Sequence, residues 1–448
     1  MTRSFHRNRE TVSMPGSRPY RATADRRSAG GGRSVSTDPR RDVAVVLGTR
    51  PEIIKLAPVI SALGARARLI WTGQHYDPCL ADVFFHAANL GLPEERLAGV
   101  GGFSRAAQML AVMSGLSERF EANRPAVVVV QGDTNTTNAA AQAAHYHGIP
   151  VVHVEAGLRS FDRGMPEEIN RLIVGAVADV HCCATAGNAE YLRRAGVPEA
   201  AIRVTGNTIV EATLAALPDS AGCREVLARH HAEPDGYVLA TVHRPENTDD
   251  PARLALIVDA LARLPWPVVF PIHPRTHAAI ARFGFQERCR PLRVVDPLDH
   301  PTFLGLAAHA RLVVSDSGGV QEEVTVLKKP LVVVRNSTER PESVAAGFAW
   351  VARPDQLTTA MVRMLDPDLA VRLRTVPSPF GDGRAAARIA SEVLALAHRD
   401  NRSPVSLTPD ADPQGPSEQA APDRHAGDRV SVVQDTSTST GLRLVSNQ

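Results

Sequence analysis

A chain of 448 residues is too long for one ordinary core and points to two or three domains. Its formal charge of +2 hides an asymmetry: residues 1–41 carry ten arginines against three acids, so the remainder is net acidic, which excludes a basic nucleic-acid-binding module. No apolar run reaches the roughly 18 residues needed to span a membrane. The five cysteines, Cys79, Cys182, Cys183, Cys223 and Cys289, lack the spacing of a zinc knuckle and fit a reduced cytoplasmic setting.

The arm 1–41 is rich in Arg, Ser, Gly and Pro, and cannot bury enough surface to offset the entropy of ordering, so disorder is expected. Its Arg26-Arg27 and Arg40-Arg41 pairs suit a twin-arginine signal, but only Val43 to Leu47 follows before polar residues resume, which is no secretory apolar region. A translation start at Met14 or later accounts for the arm equally well. From Asp42, short β-branched runs alternate with helical stretches: Val43 to Leu47, Arg68 to Trp71, Ala126 to Val130, Val151 to Val154 and Val180 to Ala184. The cycle restarts with Tyr237 to Val242, Pro267 to Ile272, Leu292 to Val295, Leu312 to Ser315 and Leu331 to Val334. This pattern predicts α/β architecture: two Rossmann-like, doubly wound parallel sheets, residues 42–210 and 211–378, facing a central cleft. Residues 399–448 are again polar and Pro-rich, and disorder is expected there too.

Candidate chemistry sits where these strands end, since ligands of such sheets bind beyond the strands' carboxyl ends. Gly48-Thr-Arg-Pro-Glu-Ile-Ile-Lys55 opens a helix, so Arg50 and Lys55 fit a phosphate site at its N-terminus. With three lysines against forty-seven arginines in the chain, a lysine at position 55 stands out. Asp133, after Val127 to Val130, suits an N-cap and equally a pocket acid. The segment His153 to Arg171 crowds acids and arginines between a strand and a helix, and both a salt-bridged surface turn and an active-site loop fit it. Glu155 and Glu167 in that segment, together with Asp133, form a set of carboxylates suited to acid and base work.

In the second half, His243 and His273 each follow a strand beside arginines, and two such histidines in one sheet line a cleft better than they fill a core. Ser317, Gly318 and Gly319 precede a helix whose N-terminal amides suit a diphosphate, with Glu322 and Glu323 one turn in, where a carboxylate can take ribose hydroxyls. No Gly-x-Gly-x-x-Gly fingerprint and no Walker A sequence occurs.

Taken in order, GTRPEIIKLAP, TGQHYD, QGDTNTT, HVEAGLRSFDRGMPEEINR, VTGNTIVEA, TVHRPEN, SDSGGVQEE, STERPE and PFGDGRAAARI resemble the non-hydrolysing UDP-N-acetylglucosamine 2-epimerase family, over Val43 to about Ala397. The resemblance implies a fold like that of the GT-B glycosyltransferases, with residues 379–398 crossing back to the first domain. It implies interconversion of UDP-N-acetylglucosamine and UDP-N-acetylmannosamine through elimination and re-addition of UDP, with no cofactor and no metal, in a homodimer. Asp133, Glu155, Glu167 and His243 match the catalytic positions. Arg50, His273, Ser317, Gly318, Gly319 and Glu323 would hold UDP, Phe303 would pack near the uracil, and Thr338, Glu339, Arg340 and Pro341 would close the diphosphate side. Lys55 and Arg163 join the substrate-binding set; Arg159, Glu168 and Arg171 are left as scaffold. Gln74 matches a position where relatives are activated by a second substrate molecule, but Asp77 departs from that pattern and puts activation in doubt. A hydrolysing relative, an epimerase of UDP-2,3-diacetamido-uronic acids and a GT-B glycosyltransferase are the competing expectations.

Overall fold

The computed structural model describes residues 42–74, 78–97 and 100–398. Both expected disordered tails, and Asp77, lie outside the described residues. Two parallel sheets form the scaffold. The first contains β1 (Val43–Leu47), β2 (Ala67–Trp71), β3 (Glu95–Arg96), β4 (Val127–Gln131), β5 (Val151–Ala156), β6 (Val180–Cys183) and β7 (Ile202–Val204), in the order β3-β2-β1-β4-β5-β6-β7. The second contains β8 (Val238–Thr241), β9 (Val268–Pro271), β10 (Arg293–Val295), β11 (Leu312–Ser315), β12 (Leu331–Val334) and β13 (Ala349–Ala352), in the order β10-β9-β8-β11-β12-β13. Each order reverses once, between β1 and β4 and between β8 and β11, and these are the two places where a doubly wound sheet opens a ligand crevice.

The central strands are apolar on both faces because helices cover both. In β1, Val43, Val45 and Leu47 join the core beneath the Arg50–Leu63 helix, while Ala44 and Val46 join the core beneath the helices Arg105–Ala122 and Asn135–Tyr146. Adjacent residues thus feed opposite layers, as the two-residue period of a strand requires. The helix Ala385–His398 follows the second sheet in sequence yet sets Ala385, Ala386, Ile389, Ala390 and Val393 into the first sheet's core. Its entry is fixed by Asn207 N–H donating to the Phe380 carbonyl at 2.8 Å and Ala386 N–H donating to Glu211 at 2.8 Å.

Three strands were not expected from the sequence: β3, β7 and β13. β3 and β7 are edge strands of two and three residues carrying Glu95, Arg96 and Arg203, and β13 is an edge strand whose Trp350 is exposed, so none has the buried apolar run that marks a central strand. Among the described residues, no helix is long and apolar enough to cross a membrane.

Candidate active site

The two switch points face one another across a cavity of about 920 Å³. The turns after β1 and β4 form one wall, and those after β8, β9 and β11 form the other. Of the residues singled out in the sequence, Arg50, Lys55, Gln74, Asp133, Glu155 and Glu167 line the first wall. His243, His273, Phe303, Ser317, Gly318, Gly319, Glu323 and Arg340 line the second. Arg163 is not among the lining residues: it is exposed on a turn that Asp162 and Glu168 tie down by accepting the Gly164 and Ser160 N–H groups, at 2.9 and 2.8 Å.

On the first wall, Asp133 is not the cap of the helix behind it; Thr134 is. Asp133 instead takes two bonds from Arg171, from Nε at 2.9 Å and Nη2 at 2.6 Å, both on Oδ2, which leaves Oδ1 outside the pair. Arg171, left as scaffold by the sequence, is therefore the group that aims Asp133. Glu155 sits at a bulge in β5 with φ 62°, a left-handed conformation that is costly for a side chain with a Cβ and is held only where surroundings over-determine it. Gly157, two residues on at φ 83°, permits the turn, since any Cβ there would collide with the Asn188 carbonyl. Glu167 lies in the first turn of the helix Pro166–Val177 and lines the cavity with no side-chain partner among the described residues. Gln74 accepts from Thr136 N–H at 2.8 Å and so holds the start of the Asn135–Tyr146 helix. Glu52, which the sequence reading passed over, accepts from Gly48 N–H at 2.9 Å and from the hydroxyls of Thr49, Thr134 and Thr137. It clamps the two turns of the first switch point together, and Thr49-x-x-Glu52, a capping-box spacing, was the signal available for it.

A closed ring of charge joins the walls. Lys55 Nζ bonds Glu155 and lies 2.8 Å from Glu322; Arg340 Nε bonds Glu322 at 2.7 Å, and Arg340 Nη2 lies 3.5 Å from Glu155. All four side chains are at most a tenth exposed. Burial works against the Lys55 charge, but Glu155 and Glu322 outweigh it and hold its pKa above the ordinary value. Burial likewise opposes ionised Glu322, and Arg340 and Lys55 overcome it, so its pKa lies low. Glu155 falls on the other side of the balance, with burial the larger influence and its pKa raised. The Lys55 ammonium, expected at a phosphate, is here paired with two carboxylates while still lining the cavity, and Glu322 is paired with Lys55 and Arg340.

The second wall presents donors. Gly318 passes so close to Arg340 that a Cβ would press on the guanidinium at 3.0 Å, whereas a Cβ at Gly319 would meet nothing within 4 Å and project into the cavity. Both start the helix Gly318–Leu327, whose leading N–H groups and dipole favour an anion. His273 caps the helix Pro274–Phe283, its Nδ1 accepting from Arg275 N–H at 3.1 Å, and its ring lies 5.2 Å from that of His243. Glu323 lies 2.8 Å from His300 Nε2, and Phe303 shares its side of the cavity with Pro297 and Leu298. Arg50 reaches across from the first wall, stacked on Phe84 at 4.6 Å. No group of His, Cys, Asp and Glu among the described residues is arranged to hold a metal ion.

The chain's likeness to known proteins agrees with this geometry. The family model described as UDP-N-acetylglucosamine 2-epimerase matches residues 61–394. A protein of Methanocaldococcus jannaschii named UDP-N-acetylglucosamine 2-epimerase is 37% identical over 362 residues, covering 78% of this chain and 97% of its own. The crystal structure of the M. jannaschii enzyme in complex with UDP-GlcNAc and UDP matches with a TM-score of 0.72 at 37% identity, over 79% of this chain and 99% of that one. A Pseudomonas aeruginosa relative named UDP-2,3-diacetamido-2,3-dideoxy-D-glucuronate 2-epimerase is 34% identical, over 79% of this chain and 99% of its own. With its GT-B-like pair of sheets and a family match across most of its length, the chain belongs to the UDP-N-acetylglucosamine 2-epimerase family.

Proposed function

We propose that this enzyme interconverts UDP-N-acetylglucosamine and UDP-N-acetylmannosamine without net hydrolysis. The observation that carries the reading is the division of one cavity into a wall of carboxylates and a wall of donors. The proton on C2 of an acetamido sugar has no carbonyl beside its carbon to make it acidic. If the C1–O bond breaks first, its electron pair leaves with UDP, C1 gains positive charge, and C2–H becomes removable. The proton then passes to a carboxylate as the C1–C2 double bond forms. Return of a proton to the opposite face, with re-addition of UDP at C1, gives the epimer.

That route needs donors for the departing diphosphate and proton carriers at both faces of C2. The amides of Gly318 and Gly319, with Arg50 and His243, serve the diphosphate. Asp133, aimed by Arg171, and Glu167, whose carboxylate is unengaged, serve the two faces. Glu155, held between Lys55 and Arg340 at its two oxygens, serves as a fixed electrostatic wall for the sugar.

Incubation with UDP-N-acetylglucosamine in heavy water, followed by NMR, tests this. Deuterium at C2 of a UDP-N-acetylmannosamine product supports it. Release of free sugar points to hydrolysis, and transfer to an acceptor points to a glycosyltransferase; either result overturns it. A second substrate, a UDP-2,3-diacetamido-uronic acid, is favoured by one observation: Arg105 lines the cavity and supplies a cation near the acid wall. The two sugars run side by side decide between them.

A further inference from the structure

Asp316 follows β11 directly and is wholly buried beneath the second wall. Every group facing its carboxylate is a donor. It accepts from His243 N–H at 3.0 Å, from Arg244 N–H at 2.8 Å and from Asn247 Nδ2 at 3.0 Å. In addition, His243 Nδ1 lies 3.1 Å from Asp316 Oδ1. Asn247 also donates to the Val334 carbonyl at 2.8 Å, which anchors the assembly to the end of β12. The next residues in the chain, Ser317, Gly318 and Gly319, are the donor turn at the cavity.

We propose that Asp316 is the positioning residue and counter-ion of His243. It pins the backbone of the β8 turn to the donor turn, and it faces Nδ1 so that Nε2 is the atom presented to the cavity. This rests on the functional reading above, in which His243 serves the leaving diphosphate. The imidazole is surrounded by positive charge: Arg244 on its own turn, and His273 and Arg275 from the turn after β9. Burial, the largest influence, holds the His243 pKa below its ordinary value, and Asp316 is the one acid among these groups that opposes it. Without that acid the pKa falls further, and the imidazolium, the form in which Nε2 donates to the diphosphate oxygen that receives the C1–O electron pair, becomes harder to reach.

The sign of the pH effect follows. An activity that needs the imidazolium is present below its pKa and lost as pH rises through it. Asp316→Asn removes the charge while keeping an oxygen, so it lowers that pKa, and the alkaline loss of kcat moves to lower pH by about 1–3 units. At fixed neutral pH, kcat falls by about 10–100-fold, with KM changed much less. In a His243→Gln background the same substitution costs less, because only the bonds from the β8 turn and Asn247 remain to be disturbed, and no alkaline limb is left to move. An unmoved pH profile, or equal losses with and without His243, overturns the proposal.

A measurement on the wild type does not depend on the variant folding. Nitrogen-15 NMR of histidine-labelled enzyme, with His243 assigned by comparison with His243→Gln, is expected to show the neutral ring protonated on Nδ1 above its pKa and to gain a proton on Nε2 as pH falls through it. A neutral ring protonated on Nε2 overturns the proposal. If the wild type exchanges no deuterium at C2 with either UDP-sugar, the functional reading fails, and the NMR result still decides the placement of the proton by Asp316.

Discussion

The two walls of the cavity meet ligand chemistry by opposite means. The first is built from side-chain carboxylates, and two of the three are controlled by something brought from elsewhere in the chain: Asp133 by Arg171, and Glu155 by Lys55 and Arg340. The second is built largely from backbone, in the Ser317 to Gly319 turn, with Asp316 organising the histidine beside it. Carboxylates that move protons must change charge, and their pKa values depend on neighbours. Donors for a diphosphate must stay fixed, and amides at a helix start hold their partial charge at every pH. On the proposed reading, proton chemistry falls mainly to the first wall and anion binding mainly to the second, with Arg50 and the titrating His243 as the exceptions.

The sharpest way to break this contrast is at Asp133. Asp133→Asn is expected to lower C2 exchange and kcat by about 10²–10⁴-fold while UDP affinity, measured by calorimetry, stays within a few-fold. Parallel losses in both would show that the walls do not divide the labour. Next in size is Lys55→Met, which leaves two buried carboxylates facing each other and is expected to cost about 3–5 kcal/mol of stability by urea unfolding. The pair Lys55→Met with Glu322→Gln should recover part of that loss.

On the second wall, Gly319→Leu is the complementary test. Its side chain enters open cavity, so the melting temperature should hold while UDP binding weakens at least about tenfold, roughly 1.4 kcal/mol. A destabilised protein would mean that the glycine serves packing instead.

A pH series separates the domains in another way. His153 and His181, neighbours across β5 and β6, are buried, and burial pushes their pKa values down to about 3 and about 4. The unfolded chain protonates both near 6.5, so their contribution to stability is complete above that pH and is lost as pH falls toward 4 and then 3. Thermal melts between pH 7.5 and 4 should decline, and His181→Phe should flatten the decline; an unchanged slope would count against it. Smallest of all, Arg163→Ala should alter stability by no more than about 0.5 kcal/mol and leave turnover unchanged.

Much of the scaffold was readable because central parallel strands announce themselves. Val127 to Val130 and Leu331 to Val334 are buried on both faces and leave little else for the chain to be. Edge strands such as β3 carry no such imprint, since pairing on one side rather than burial holds them. In the site, residues at strand ends could be placed because a strand's carboxyl end is a fixed address. Their partners could not. Nothing local to Lys55 reveals that Glu322, from the other sheet, lies 2.8 Å away, and the ammonium was assigned to a phosphate because only its own helix start was in view. Asp316 was hidden inside its own motif: the glycines after it have an evident use, while an aspartate before them gains meaning only once the β8 turn is seen against it.

The ring of four charges has a consequence for how the cleft could part. Each sheet contributes one cation and one acid, Lys55 with Glu155 from the first and Arg340 with Glu322 from the second. Pulling the walls apart would sever the two cross-links and leave each half electrically complete, so no lone charge is stranded and the steep penalty of an unpaired buried ion never arises. The fastening behaves like a clasp whose halves can each be left open.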